Sequence, residues 1–155
     1  MKILSLNHNR IGPIGCRIIA SCESLNNLKS LELAGNKIKD GGVKALATEQ
    51  FADLEDLNLS DNGLTAEGVR TLKTFSAVEY LSLSGNSLSD ECVDPIKSIN
   101  PRGFAYIAVS RNNFSNEALR KFIPIKNLSV LLIDRNKITT AKSEVNAPSS
   151  LFVFY

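Results

Sequence analysis

The sequence predicts an α/β solenoid, in which stacked repeats each contribute a short strand followed by a helix. One segment recurs along the chain at a nearly constant period, and each copy changes its hydrophobic spacing halfway. In LKSLELAGNKIKDGGVKAL (residues 28–46), Leu31 and Leu33 are two residues apart, whereas Val43 and Leu46 are three apart. Because a single strand or helix keeps one period throughout, this change marks a strand-to-helix junction. Asn36 stands at the junction.

Six copies align on this asparagine. Their cores read MKILSLNHNRI, LKSLELAGNKI, LEDLNLSDNGL, VEYLSLSGNSL, FAYIAVSRNNF and LSVLLIDRNKI. The aligned residues are Asn9, Asn36, Asn62, Asn86, Asn112 and Asn136, separated by 27, 26, 24, 26 and 24 positions. Self-similarity at such a period is typical of solenoids. A buried backbone group without a partner costs about 1–3 kcal/mol, and an Asn amide both donates and accepts. We therefore expect these asparagines to form a hydrogen-bonded ladder between neighbouring repeats.

The second half of each repeat has helical spacing. In the first five repeats, the aligned Asn is followed by a small residue and apolar residues at helical spacing, as in Gly42, Val43 and Leu46. The small residue indicates close helix–sheet packing. Asp40 and Asp90 are candidate helix caps.

The repeated motif resembles the leucine-rich repeat family, and in particular its ribonuclease-inhibitor-like subclass. Units of that subclass read LxxLxLxxNxL followed by a helix with a Gly and a Leu, and the match covers about residues 1–138. The resemblance implies a right-handed α/β horseshoe with a concave parallel sheet and convex helices. It also implies a cytosolic protein that holds protein partners on its concave face. Some proteins of this subclass activate GTPases, and others are effectors that bacterial pathogens inject into host cells.

The chain is expected to form a single leucine-rich repeat domain over 1–155. Six repeats cover about 1–142, and an irregular C-terminal capping segment covers 143–155. Register is lost near Lys142, which stands where other repeats carry Gly, Cys or Ala. The chain closes with LFVFY, which predicts a final strand. We favour Phe152 and Phe154 pointing inward, because they match the preceding core in size; the alternative places Leu151, Val153 and Tyr155 inward.

At the other end, Met1 already occupies the first apolar position, so no capping unit precedes the first strand. The chain is then either a piece of a larger repeat protein or one that begins with a bare edge strand. In the second case Ile3, Ser5 and Asn7 are open to pairing.

The strand positions between the core residues are free to bind a partner. One half of the predicted concave face is acidic and the other is aromatic, apolar and basic. Tyr and Arg often dominate binding energy at protein interfaces. The candidate partner-binding residues are Glu32, Asp56, Asn58, Tyr80, Tyr106, Arg111, Val130, Leu132, Asp134 and Arg135. Two simpler interpretations stay open: Tyr80 and Tyr106 stabilise the sheet by cross-strand packing, and Arg135 pairs with Asp134.

Composition argues against other classes of function. A net charge of +2 does not favour nucleic acid, and no apolar run approaches the roughly 20 residues of a membrane span. The N-terminus has no apolar stretch of signal-peptide length. Cys16, Cys22 and Cys92 are expected to be reduced and mostly buried, which favours the cytoplasm.

An enzyme is not expected either. His8 is the sole imidazole, and Cys16 and Cys22 are predicted on the far side of the sheet from it. Asp56 and Glu32 lie on neighbouring strands but without a pocket for a small-molecule substrate. No metal site or cofactor motif is present.

The sequence therefore predicts a non-enzymatic module that holds a partner protein, either an enzyme that it inhibits or a host protein, on its concave face. If the chain is an injected effector, it acts in the host cytosol. The alternatives are a regulator of a small GTPase acting through a rim arginine (Arg10, Arg111 or Arg135) and a fragment of a larger sensor or scaffold.

Overall fold

The computed structural model describes residues 1–140, 144 and 146–155. Within them, short parallel strands form one open sheet in which neighbours in the sequence are neighbours in space. The strands are β1 (Ile3–Ser5), β2 (Ser30–Glu32), β3 (Asp56–Asn58), β4 (Tyr80–Ser82), β5 (Tyr106–Ala108), β6 (Val130–Leu132) and β7 (Phe152–Phe154). This order confirms the predicted α/β solenoid.

Helices follow the first five strands. They are α1 (Gly12–Ala20), α2 (Lys39–Leu46), α3 (Ala66–Thr71), α4 (Val93–Ile99) and α5 (Asn116–Phe122). Short 3-10 helices extend or connect them at Glu23–Leu25, Glu49–Phe51, Leu72–Thr74 and Asp90–Cys92. Lys142, where we predicted the register to be lost, lies outside the described residues.

The core lies between the sheet and the helices. Leu31, Leu57, Leu81 and Ile107 occupy the same register position on successive strands, and each is at most 1% exposed. A fully buried Leu or Ile side chain contributes about 1.5–3 kcal/mol relative to an exposed one. One strongly apolar position per strand therefore stabilises the whole stack.

The aligned asparagines connect adjacent repeats. Asn62 Oδ1 accepts hydrogen bonds from the backbone N–H groups of Asn36 (2.9 Å) and Ile38 (3.3 Å) in the preceding repeat. Its Nδ2 donates to the carbonyls of Leu33 (2.9 Å) and Ser60 (3.0 Å). The amide thus satisfies backbone groups at the point where the chain leaves the sheet.

The residue before each aligned asparagine has a left-handed backbone conformation. These residues form the rim column: His8 (φ 57°), Gly35 (φ 68°), Asp61 (φ 55°), Gly85 (φ 66°), Arg111 (φ 53°) and Arg135 (φ 53°). Such a conformation favours glycine and costs other residues about 1–2 kcal/mol. The turn at the end of each strand therefore imposes the same strained backbone on polar and charged residues of the rim.

The helix caps differ from the prediction for Asp40 and Asp90. Thr65 caps α3 and Ser115 caps α5, because their side-chain oxygens accept from the N–H groups two residues on. Asp40 instead accepts from Thr65 N and Oγ1 (2.9 and 2.6 Å) in the next repeat, and Asp90 accepts from Ser115 in the same way. Each aspartate thus supports the cap residue of a neighbouring helix.

The preferred orientation of the C-terminal strand was wrong. β7 pairs in parallel with β6, so that Phe152 aligns with Val130 and Phe154 with Leu132. Both phenylalanines are exposed, whereas Leu151 is buried and Val153 and Tyr155 pack against the core. Register decides the orientation, because an alternating strand that continues the sheet must also continue its faces.

One cysteine also departs from expectation. All three cysteines are free, but Cys22 is exposed while Cys16 and Cys92 are buried.

At the opposite end of the sheet from β7, β1 pairs only with β2 among the described strands, and Ile3 on β1 and Ile14 and Ile18 on α1 are exposed. No helix in the described part of the chain is long and apolar enough to cross a membrane.

Candidate partner-binding face

Parallel pairing aligns the outward side chains of the strands into two columns on the face of the sheet opposite the helices, here called the concave face. The first column contains Ile3, Ser30, Asp56, Tyr80, Tyr106, Val130 and Phe152. The second contains Ser5, Glu32, Asn58, Ser82, Ala108, Leu132 and Phe154. The structure therefore brings seven of the ten candidate residues onto one surface, in the columns that the repeat spacing predicts.

The C-terminal half of this face carries large apolar and aromatic side chains. We call Tyr80, Tyr106, Val130, Leu132, Phe152 and Phe154 the aromatic platform. Tyr80, Phe152 and Phe154 are 49%, 64% and 50% exposed. The close ring pair found in the described part of the chain is Phe114 with Phe122 in the core, so Tyr80 and Tyr106 do not form such a pair. Exposed apolar side chains grouped in this way are typical of interaction surfaces.

Phe152 and Phe154 were not predicted as members of this surface. The sequence offered one indication of their position. The alternative register of LFVFY places Leu151, Val153 and Tyr155 inward and so places both phenylalanines outward. With that register, both phenylalanines extend the two columns by one strand. The two residues add substantial aromatic area to the face.

The N-terminal half contains a shallow depression of about 280 Å³, open to solvent. We call it the acidic depression; it is lined by Glu32, Asp56, Asn58, Tyr80, Ser82 and Tyr106. The sequence predicted both carboxylates but no pocket. Its tyrosines also belong to the aromatic platform, so the two features are contiguous.

Neighbouring side chains orient the two carboxylates. Glu32 Oε2 accepts hydrogen bonds from Ser5 Oγ (2.6 Å) and Asn7 Nδ2 (2.8 Å). Asp56 Oδ2 accepts from Ser30 Oγ at 3.1 Å. Both carboxylates are therefore directed by polar residues of the preceding repeat.

Burial shifts the pKa of two residues of the acidic depression, Asp56 and Tyr106. It raises the pKa of Asp56, the hydrogen bond from Ser30 opposes that rise, and the nearby charge of Glu32 adds to it. The pKa of Tyr106 is also raised, by burial first and by the charge of Asp56 second. The ionised form of Asp56 is thus disfavoured in the folded protein.

Two candidate arginines lie on the rim rather than in the columns. Arg111 donates to both carboxylate oxygens of Asp61, with Nη1 at 3.0 Å and Nη2 at 2.9 Å. Arg135 Nε lies 3.7 Å from Asp134 Oδ2, the pairing that the sequence analysis left open. Asp134 also accepts a hydrogen bond from Ser110 Oγ.

The residues considered for catalysis lie apart. His8 is exposed on the rim and its ring covers Gly35, where an added Cβ would lie 2.6 Å from Nδ1. Cys16 is a buried residue of α1, and burial raises its thiol pKa to about 11. Within the described residues, no three His, Cys, Asp or Glu side chains are grouped to hold a metal ion.

These features define a repeat protein of the solenoid class, with an asparagine ladder and an exposed sheet face. The Leucine Rich repeat model matches residues 1–20, 24–47 and 52–73, and a second Leucine Rich Repeat model matches 77–99. The chain belongs to the leucine-rich repeat family, whose members generally mediate protein–protein interaction.

Curated relatives share this repeat over part of their length. The chain is 30% identical to mouse (Mus musculus) podocan over 113 residues, covering 72% of the chain and 17% of podocan. It is 29% identical to human (Homo sapiens) lumican over 136 residues, covering 75% of the chain and 38% of lumican. The chain therefore spans less than two-fifths of either relative.

Solved structures show the same fold. An internalin of Listeria monocytogenes, InlF, superimposes with a TM-score of 0.70 at 20% identity, covering 99% of this chain and 47% of the internalin. Internalin C2 of the same species gives a TM-score of 0.65 at 19% identity, covering 98% and 79%. At this level of identity the likeness concerns architecture alone.

Proposed function

We propose that this protein is a non-enzymatic binding module that holds one partner protein on its concave face. The observation that carries the proposal is the aromatic platform. Its three most exposed members, Tyr80, Phe152 and Phe154, are large side chains that face solvent on the hydrogen-bonded sheet. Rigid aromatic side chains bind with little loss of conformational entropy.

The proposal extends to subclass, location and role. A helix after each of the first five strands supports a ribonuclease-inhibitor-like repeat. Three free cysteines support a reducing, cytoplasmic location. Inhibition of a bound enzyme is the role that we propose for the complex, and the identity of the chain as an injected effector stays a prediction from the sequence.

Regulation of a small GTPase through Arg10 stays a prediction from the sequence, and the same role for Arg111 or Arg135 gains no support from the geometry. Arg111 is held in a two-point contact by Asp61, and Arg135 lies beside Asp134. Such an arginine would have to leave its carboxylate before it entered a partner's phosphate site.

The test compares three proteins that differ in one surface each. The concave variant is Tyr80→Ser/Phe152→Ser, and the helical variant is Lys44→Ala/Lys73→Ala, which changes the exposed helical side. The wild type and both variants are used to capture partners, which are identified by mass spectrometry. Each partner is then purified and its affinity measured by calorimetry. We expect at least a tenfold loss for the concave variant and none for the helical one. Equal affinity for all three would place binding elsewhere.

A further inference from the structure

We propose that the concave face recognises a polypeptide segment that places a Lys or Arg side chain in the acidic depression and apolar side chains on the aromatic platform. This inference rests on the proposed function and specifies the chemistry of the partner. The acidic depression and the apolar aromatic platform lie next to each other on this face, and the proposed segment contacts both.

The first step is that no Lys, Arg or His side chain among the described residues pairs with Glu32 or Asp56. Among the described residues, the ion pairs involve other carboxylates, including Glu55, Asp61, Glu91 and Asp134. Lys29, which directly precedes β2 and lines a surface depression together with Asp56, pairs with Glu55 at 3.0 Å. Two half-buried carboxylates on neighbouring strands are therefore held in place without charge compensation.

The second step is that the lining of the depression suits a cationic side chain. Carboxylates form charge-assisted hydrogen bonds with ammonium and guanidinium groups, and tyrosine rings attract cations. A volume of about 280 Å³, open to solvent, accommodates the end of a side chain rather than a buried ligand. The two negative charges repel phosphate, which excludes nucleic acid as the occupant.

The third step is the distance between the two features. Val130 lies three strands from Asp56 in the same column, which is about 14 Å at the usual spacing of parallel strands. An extended chain covers that distance in about four residues. A partner segment that crosses the strands can therefore contact both features at once.

The experiment selects peptides from a random twelve-residue phage library on immobilised wild-type protein. The selected peptides are synthesised, and their affinities are measured by fluorescence polarisation for the wild type and three variants. Glu32→Gln/Asp56→Asn removes the charges of the depression, and Tyr106→Ser/Phe154→Ser removes part of the platform. Glu23→Gln/Glu49→Gln, at exposed positions away from the sheet, removes equal charge and serves as the control.

We expect enriched peptides to carry a Lys or Arg near apolar residues and to bind the Glu32/Asp56 variant at least tenfold more weakly, with no change for the control. A different result would be peptides without a basic residue that bind the wild type and the Glu32/Asp56 variant equally and do not bind the platform variant. That result would overturn the cation site and leave the proposed function standing. Equal binding to all variants, or no enrichment, would overturn both. A wild-type dimer that the Glu32/Asp56 variant abolishes would assign the face to a second copy and also overturn the inference.

Discussion

Arg111 and Asp61 meet across an entire repeat. The two residues are 50 positions apart, and the guanidinium reaches both carboxylate oxygens over Gly85, the rim residue of the repeat between them. A Cβ at Gly85 would collide with Asp61 Oδ1 and lie 3.1 Å from Arg111 Nη2. The contact therefore depends on the absence of a side chain at one position.

Gly85→Ala should destabilise the protein more than Gly63→Ala. Both glycines have left-handed backbones (φ +66° and +69°), so alanine costs about 1–2 kcal/mol at either position, but an added Cβ meets nothing within 4 Å at Gly63. At Gly85 it must also displace the ion pair, worth about 0.2–1 kcal/mol when exposed. Urea denaturation measures the difference, which should disappear in an Asp61→Ala background. Equal losses in both single variants would contradict a role for Gly85 as a gap.

Asn62→Ala should cost about 1–3 kcal/mol, because it leaves buried backbone groups of two repeats without partners. Asn9→Ala is the matched control: Asn9 is exposed and its Nδ2 donates to Leu6 and Asn7 of its own repeat. We expect a clearly smaller loss there. Thermal unfolding of both variants is the measurement, and an unchanged melting temperature for Asn62→Ala would refute the ladder.

Asp56→Asn should stabilise the protein at neutral pH. Burial raises the pKa of Asp56 in the folded state, so ionisation opposes folding as pH rises from the unfolded value, about 3.9, through the folded pKa. Asparagine removes this cost and can still accept from Ser30 Oγ. The advantage should be present at pH 7 and vanish below about pH 3, where aspartate is protonated in both states. Melting curves across this range test it, with Glu49→Gln as an exposed control; a lower melting temperature at pH 7 would show that the charge stabilises the fold.

Cys22 should be the reactive thiol. It is exposed, whereas burial of Cys16 and Cys92 raises the pKa of both thiols. Ellman's reagent at pH 8 should titrate one thiol in the native protein and three in urea. A Cys22→Ser variant should show none in the native state; any rapid reaction there would mean that a buried cysteine becomes accessible.

Repetition explains why much of the fold and most of the residues on the concave face could be predicted from the sequence. A fixed period places equivalent residues side by side, so Asp56, Tyr80 and Tyr106 fall in one column once the repeats are aligned. The last strand has no aligned repeat to guide it. Side-chain size was the wrong criterion for Phe152 and Phe154, because the orientation follows from pairing with β6, as in the hydrogen bond from Ile133 N to Phe154 O at 2.8 Å.

The rim could not be predicted in the same way. The contact between Arg111 and Asp61 requires left-handed backbones at both residues and a glycine between them. The helix caps were missed for a related reason. Asp40 is placed in the sequence to cap α2, yet its carboxylate accepts hydrogen bonds from Thr65 of the next repeat. The periodicity predicts the asparagine ladder, but these rim and cap contacts depend on side-chain geometry that it does not encode.

The two ends of the aromatic platform differ in how firmly their strands are held in the open sheet. Tyr80 stands on β4, which has hydrogen-bonded strands on both sides, whereas Phe152 stands on β7, which pairs with β6 alone among the described strands. In a stack coupled between neighbours, a strand with one hydrogen-bonded neighbour opens locally more readily than a strand with two. Amide hydrogens of β4 should therefore exchange more slowly than those of β7. A partner that reaches Phe152 must suppress this motion and bear its entropic cost, while contact at Tyr80 carries almost none.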